Sequence, residues 1–340
     1  MLYKAVRFLF KNYIRLYFGK IQVFGMENIP KNSGVLLSPN HQNALLDPLI
    51  VAVFLKHPIY FFTRADVFIP ALRRVFNSLH MLPIYRIRNG FSSLRKNKQT
   101  FEKGAQILAQ GKHLVMFSEG LHHLGHYLYP ISKGSSRFVL EAQQASKKQL
   151  YLVPVGINYS LPYQSGSDIH LVFGTPIAVP RLSKNSSVPF EINSLKERLE
   201  KEMQATLWIP EKTEHYEVQQ AHLKTISKHQ SFSEVRLFLS QTKQVPTSRK
   251  LINRTLKILL GIPNLLPILL MNFMSKGLKD PVFEGTVRFF SSLLVYPLWW
   301  FSVAHIASIY LDGRAAIAVT GVLISFKIIQ NKINIIKTHI

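Results

Sequence analysis

Hydrophobic positions follow three different patterns along the chain. In residues 1–24 they recur at helical spacing. At about 100° per residue, Leu2, Val6, Leu9, Tyr13, Leu16 and Tyr17 gather on one side, opposite Lys4, Arg7, Lys11 and Arg15. A basic stripe against an aromatic-rich apolar stripe predicts a helix lying in a membrane interface, and Phe8 and Phe18 beside the basic stripe suit the headgroup zone. A helix packed on its own domain has the same pattern. Residues 1–24 lack the compact apolar run and small-residue cleavage site of a signal peptide.

Between residues 25 and 207 the pattern changes to short apolar runs separated by helix-like stretches. Residues 35–38, 59–63, 81–85, 114–117, 152–157 and 170–173 are the strand candidates, and 43–55, 66–78, 92–110, 134–148 and 190–206 the helices. Such alternation predicts an α/β domain, a mostly parallel sheet flanked by helices, with any chemistry beyond the carboxyl ends of the strands. Pro154 within 152–157 predicts an edge or an irregularity, because proline cannot donate to a ladder. Residues 208–253 are polar with scattered apolar positions and are expected to be a helical insert or linker.

From 254 to 340 long uncharged runs dominate. Residues 258–275 carry no charge but are broken by Pro263 and Pro267, so an interfacial or re-entrant segment is expected there. Residues 289–311 hold 23 positions without Asp, Glu, Lys or Arg, long enough to cross a bilayer with some tilt. Ala315–Phe326 spans only if Lys327 snorkels. One or two spanning helices are therefore expected, with a pair of buried core helices as the alternative. Basic residues crowd 249–257, 276–288 and 327–337, whereas Asp312-Gly313-Arg314 is neutral overall. The positive-inside rule then sets that turn outside and the rest of the chain, residues 25–207 included, on the cytoplasmic side of the membrane.

Composition sharpens this picture. The 340 residues carry 42 Lys plus Arg against 18 Asp plus Glu, a formal +24, yet 47% are apolar, so disorder is excluded and an anionic partner is implied. Residues 1–24 contribute five basic and no acidic residues, and residues 245–340 a net +8. A further +8 falls in residues 64–112. The charge borders apolar segments, and no nucleic-acid-binding motif occurs, so a lipid surface is expected and nucleic acid is not. The absence of cysteine excludes disulfides, Cys-ligated metal and thiol catalysis.

Four segments could carry chemistry. Strand 35–38 runs into Ser38-Pro39-Asn40-His41, followed by Asp47. A histidine at a strand end is well placed as a general base if a carboxylate fixes its tautomer. Six residues are about 240° around a helix, so His41 must sit in the loop before one if it is to meet Asp47. Leu114–Gly120 is a hydrophobic strand ending in Ser118-Glu119-Gly120, which could orient a polar ligand or simply turn. In Pro83–Arg88, strand alternation sends Arg86 and Arg88 to one face, where paired guanidinium groups suit phosphate. Val153-Pro154-Val155 is the fourth. Glu119, His122, His123 and His126 have ligand-like spacing, but there is no His-Glu-x-x-His helix and no metal is expected. A serine nucleophile elbow, Gly-x-Ser-x-Gly, is also missing.

In this order, the four segments resemble the glycerolipid acyltransferase family, which includes lysophosphatidate and glycerol-3-phosphate acyltransferases. The resemblance covers roughly residues 20–180, beginning with Val23–Pro30. Asn40-His41 with Asp47 resembles the family's His-x4-Asp, Pro83–Arg88 its arginine block, Phe117–Gly120 its Phe-Pro-Glu-Gly-Thr-Arg, and Val153-Pro154-Val155 its last motif; Arg64 and Asp66 look like its basic–acidic pair. The chain departs from the pattern in three places. Five residues rather than four separate His41 from Asp47, so a bulge must absorb one; Ser118 stands for proline; Leu121-His122 stand for Thr-Arg. Arg86, Arg88, Lys133 and Arg137 are the cations that could replace the missing arginine.

The resemblance implies direct acyl transfer from an acyl thioester, on coenzyme A or acyl carrier protein, to the hydroxyl of a lysophosphatidate-type acceptor. It implies no further cofactor. His41 would be the base and Asp47 its partner, with Arg64, Arg86, Arg88, Glu119, Gly120 and Pro154 around the substrates. Glycerol-3-phosphate or another lysolipid is the alternative acceptor. A membrane-tethering protein with a decayed acyltransferase fold is the non-enzymatic alternative.

Overall fold

The computed structural model describes residues 2–68, 71, 73–85, 92–223, 226, 230–242, 244 and 251–332. Eight strands form one sheet: β1 (Ile21–Phe24), β2 (Gly34–Pro39), β3 (Ile59–Arg64), β4 (Met81–Ile84), β5 (His113–Val115), β6 (Leu150–Tyr159), β7 (Ile169–Phe173) and β8 (Ile177–Ala178). Their order is β1-β7-β6-β2-β5-β3-β4, with β8 also pairing β6. Every pairing is parallel except β6 with β7 and β6 with β8. The six expected strands are present. β1, which is half-buried throughout, and β8, only two residues long, were not expected; they take their places by pairing with β7 and β6.

Side-chain alternation fills both faces. On one face Val35, Leu37, Val115, Val153, Val155 and Ile157 pack under α2 (Leu46–Phe54) and α1 (Leu2–Tyr17). On the other, Leu36, Leu114, Leu150 and Leu152 meet α4 (Ser92–Ala109), α5 (Gly134–Ala145) and α6 (Val188–Ala205). The expected helix at 66–78 is a 3-10 turn at Ala65–Val67 followed by α3 (Arg73–Ser78). Pro154 stands in an interior strand, opposite Ser38 of β2, which corrects the expected edge. It is nevertheless an irregularity. On its other side β6 passes from β8, paired at Tyr151 and Leu152, to β7, paired from Val155 onward, so no ladder donor is required at that step.

The N-terminal helix serves two surfaces. Phe10, Tyr13, Ile14 and Tyr17, with Phe18, pack into the sheet's core and around the buried Phe289. Leu2, Phe8, Leu9 and Leu16 stay exposed beside Lys4 and Arg15. The stripe expected to face a membrane is thus divided, Tyr13 and Tyr17 turning inward and the leucines outward. Residues 208–253 are also more than a linker. Trp208, Ile209, Tyr216, Leu223, Ile226, Val235 and Leu239 form a small core built on α7 (Tyr216–Leu223) and α8 (Phe232–Gln241). Their apolar positions are too scattered for a periodic signal, since several come from loops.

Beyond it come α9 (Leu251–Gly261), a 3-10 turn at Ile262–Asn264, α10 (Leu265–Lys276), α11 (Glu284–Tyr310) and α12 (Gly313–Lys332). Among the described residues three stretches, 258–276, 281–310 and 313–332, are helical, long and apolar enough to cross a membrane, where one or two were expected. The proline break is absorbed by side chains. Trp299 Nε1 donates to the Pro263 carbonyl at 3.2 Å, Trp300 Nε1 to Asn264 Oδ1 at 2.9 Å, and Asn264 Nδ2 to the Leu323 carbonyl at 3.0 Å. In hydrocarbon a backbone group without a partner costs several kcal/mol, about the magnitude such capping removes. Many apolar side chains of α10–α12 point outward; Phe273, Phe301 and Ile317 are each more than 70% exposed. Helices so exposed are not the buried pair that was the alternative.

Candidate active site

β2 ends where Asn40 continues its ladder with a side chain. Asn40 Nδ2 donates to the Ile157 carbonyl at 3.2 Å, and its Oδ1 accepts from Ile157 N at 2.7 Å. His41 then leaves the sheet in the loop before α2, as the 240° separation required. Ala44 takes a φ of 35°, a left-handed turn inside the loop that accommodates the fifth intervening residue. His41 Nδ1 meets Asp47 Oδ2 at 2.9 Å.

Asp47 is fully buried in the first turn of α2, where the helix dipole favours an anion. Its Oδ2 accepts from Gln42 N and Asn43 N, both at 2.7 Å, and its Oδ1 from the Tyr159 hydroxyl at 2.7 Å. Burial first, and then the Asp47 charge, push the Tyr159 phenol well above its ordinary pKa and keep it a donor. With Nδ1–H given to Asp47, the imidazole presents Nε2 as its basic nitrogen. Phe117 stacks on the ring, with centroids 4.0 Å apart.

Glu119 follows β5 in a tight turn, and its side chain is only 1% exposed. Oε2 accepts from His41 N at 2.6 Å, while Oε1 meets Tyr129 N and His123 Nε2, both at 3.0 Å. The carboxylate expected beside substrate thus fixes the backbone of His41 from within. Gly120 has a φ of 71° and open space where a Cβ would stand, so it borders the surface. Ser118 is buried, its hydroxyl between Ser38 Oγ at 2.5 Å and Ser135 Oγ at 2.7 Å. Ser38 and Ser135 explain why a polar residue is tolerated there.

Arg64, at the carboxyl end of β3, forms a two-pronged pair with Asp66 and remains 43% exposed. Lys133 and Arg137 are exposed at the start of α5. Arg86 and Arg88 lie outside the described residues. Pro154 faces α6 with the even-numbered residues of β6 and packs beside Gly174, whereas Tyr159 emerges toward Asp47. His122, His123 and His126 turn to different partners: Asp280, Glu119 and, through its backbone N–H, Tyr216. Among the described residues no group of three or more metal-ligating side chains converges.

Two neighbours of the site were missed, the start of α11 and Tyr163. His122 lies edge-on to His41 with centroids 5.6 Å apart, meets Asp280 Oδ2 at 3.1 Å and touches the Phe283 ring. Leu45 N donates to Thr286 Oγ1 at 3.2 Å, and Gly285 comes so close to Asn43 and the Pro162 carbonyl that a Cβ would collide with them. The start of α11 is therefore built into the His41 loop. Tyr163 is the other. Its hydroxyl is buried without a partner in the described structure, and burial, then Asp47, then Glu284 raise its pKa. Contacts spanning more than 100 residues leave no local sequence signal. Around the site Leu45, Leu121 and Leu124 are exposed, an apolar rim beside a polar centre.

Residues 20–158 match the family model described as Acyltransferase. Over 122 residues the chain is 29% identical to a 1-acyl-sn-glycerol-3-phosphate acyltransferase of Borreliella burgdorferi, covering 36% of this chain and 47% of that protein. The chain thus spans about half the length of that curated relative. Among solved structures it is similar to the 1-acyl-sn-glycerophosphate acyltransferase PlsC from Thermotoga maritima, with 17% identity, a TM-score of 0.38, and coverage of 54% of this chain and 72% of that one.

Proposed function

Because residues 20–158 form a domain of the acyltransferase family, we propose that the chain is a membrane-bound O-acyltransferase acting on a lysophosphatidate-type acceptor. The observation that carries this reading is the His41–Asp47 pair, with Asp47 buried and held by three further donors. His41 Nε2 takes the proton from the acceptor hydroxyl, and Asp47 stabilises the imidazolium that forms. The alkoxide oxygen bonds to the thioester carbonyl carbon. The tetrahedral intermediate collapses, the C–S bond breaks, and the departing thiolate takes the proton back from His41. An ester and a free thiol result, with no covalent enzyme intermediate and no cofactor beyond the thioester co-substrate, coenzyme A or acyl carrier protein.

Glu119 acts through His41, fixing its backbone. Arg64, Arg86 and Arg88 are proposed to receive the acceptor's phosphate, and Gly120 to leave space for substrate. Pro154, facing α6, bears on the site through β6 rather than by contact. The apolar rim and the docking of α11 on the His41 loop support an acceptor drawn from the bilayer. Basic residues flanking the apolar helices support a catalytic domain on the cytoplasmic side. The test is purified full-length chain with acyl thioester and, separately, lysophosphatidate or glycerol-3-phosphate, measuring thiol release and ester formation. Lysophosphatidate is expected to be the better acceptor. A preference for glycerol-3-phosphate would reassign the acceptor, and no transfer to either would refute the reading.

A further inference from the structure

A cavity of about 330 Å³ lies between Tyr17 of α1, the loop at Gln164 and Ser165, and helices α10, α11 and α12. That volume is at the lower end of small-molecule sites, roughly 300–1,000 Å³. Its wall is divided. Ile268 and Met271 form an apolar part, while Arg288, Lys327, Gln330 and Asn331 form a polar one. Two cations face it against one lining carboxylate, Glu284, leaving a net +1. Arg288 Nε donates to Glu284 Oε1 at 2.8 Å and Nη1 to Asn272 Oδ1 at 2.8 Å; Nη2 has no partner among the described residues.

Lys327 lies well inside an apolar helix yet is only 8% exposed, with Nζ bonded to Gln330 Oε1 and held 4.9 Å over the Tyr296 ring. Asn331 is 7% exposed; its Nδ2 is bonded to the Leu16 carbonyl and its buried Oδ1 has no partner among the described residues. Ionisable groups are tolerated at membrane depth where they face a cavity, and there they mark a site of function.

We propose that this cavity binds the headgroup phosphate of a glycerophospholipid. The phosphate takes the place between Arg288 and Lys327, a headgroup donor meets Asn331 Oδ1, and the acyl chains leave past Ile268 and Met271 along the exposed apolar surface of α10. A free phosphate shares the charge chemistry but has no use for the apolar wall. The site is distinct from that of His41 but touches its support. Glu284 lines the cavity, Gly285 abuts Asn43, and Thr286 accepts from Leu45 N, so an occupied cavity braces the catalytic loop from behind.

Native mass spectrometry of the delipidated full-length chain tests this without reference to catalysis. The probes are dioleoyl-phosphatidylglycerol, dioleoyl-phosphatidylcholine, dioleoylglycerol and inorganic phosphate, offered to wild type, Arg288→Met, Lys327→Met and, as a control at an exposed cation, Lys276→Met. One molecule of phosphatidylglycerol is expected to bind, phosphatidylcholine, which has no headgroup donor for Asn331, more weakly, and dioleoylglycerol not at all; phosphatidylglycerol affinity is expected at least about tenfold weaker in Arg288→Met and Lys327→Met and unchanged in Lys276→Met. Should either variant fail to fold, competition on wild type between phosphatidylglycerol and dioleoylglycerol gives the same answer. Equal retention by well-folded variants, or equal binding of dioleoylglycerol, overturns the proposal. Inorganic phosphate binding as tightly as phospholipid overturns the lipid assignment and leaves an anion site.

Discussion

Replacing Asp47 by Asn tests the role of its charge apart from its shape. In the native site Oδ2 accepts from His41 Nδ1, Gln42 N and Asn43 N, and Oδ1 from the Tyr159 hydroxyl. An asparagine with its oxygen on the Oδ2 side keeps the first three bonds. Its amino group then donates to Tyr159, whose hydroxyl also accepts. The fold and the His41 tautomer survive, and only the negative charge opposite the developing imidazolium is lost. Charges about 4 Å apart interact by roughly 4 kcal/mol at an effective dielectric constant of about 20. At 1.36 kcal/mol per tenfold, kcat is expected to fall by about three orders of magnitude with KM little changed. The assay is thiol release under saturating acyl thioester, with circular dichroism and melting temperature to establish folding. A folded Asp47→Asn protein within tenfold of wild-type kcat would refute the argument.

Two further perturbations probe the supports. Burial lowers the His170 pKa to about 4, and its Nδ1 accepts from Trp208 Nε1 at 3.1 Å, which needs the neutral ring. The folded chain therefore binds its proton less readily than the unfolded chain, whose pKa is about 6.5, and stability falls as pH drops from about 6.5 to about 4, by up to about 3 kcal/mol. The melting temperature of His170→Gln, followed by tryptophan fluorescence, is expected to depend less on pH over that window; an equal slope would contradict this. Gly285→Ala places a methyl group against Asn43 and the Pro162 carbonyl, separating α11 from the His41 loop, and is expected to lower kcat at least about tenfold while the chain stays membrane-bound. Unchanged turnover would show that α11 does not support the site.

Elements with a strong local pattern were legible in the sequence: β2, β3, β6, α4 and α6 fall close to their expected positions because an apolar run or helical spacing covers most of the element. β1, half-buried along its four residues, and the two-residue β8 carry no clear apolar run and exist through long-range pairing. The meeting of His41 and Asp47 was legible as a possibility, since six residues and a strand end allow it. What held the pair was not. Tyr159 reaches Asp47 from 112 residues away and Glu119 reaches His41 N from 78. Glu119 shows the difference most clearly. Its residue type suggested a contact with substrate, and only its burial beside His41 N and Tyr129 N shows where its oxygens are spent. The N-terminal helix was ambiguous for a related reason: one wide apolar face can serve the core and the lipid at once, and the aromatic cluster around Phe289 decides which residues do which.

The most direct measurement of the central claim compares wild type with His41→Ala, both purified and reconstituted in vesicles, supplied with acyl thioester and lysophosphatidate. Wild type is predicted to form the diacyl product with one thiol released per ester. His41→Ala, equally folded and equally membrane-bound, is predicted to lose at least two to four orders of magnitude in rate, the range of general base catalysis. Transfer by His41→Ala at the wild-type rate would contradict the assignment.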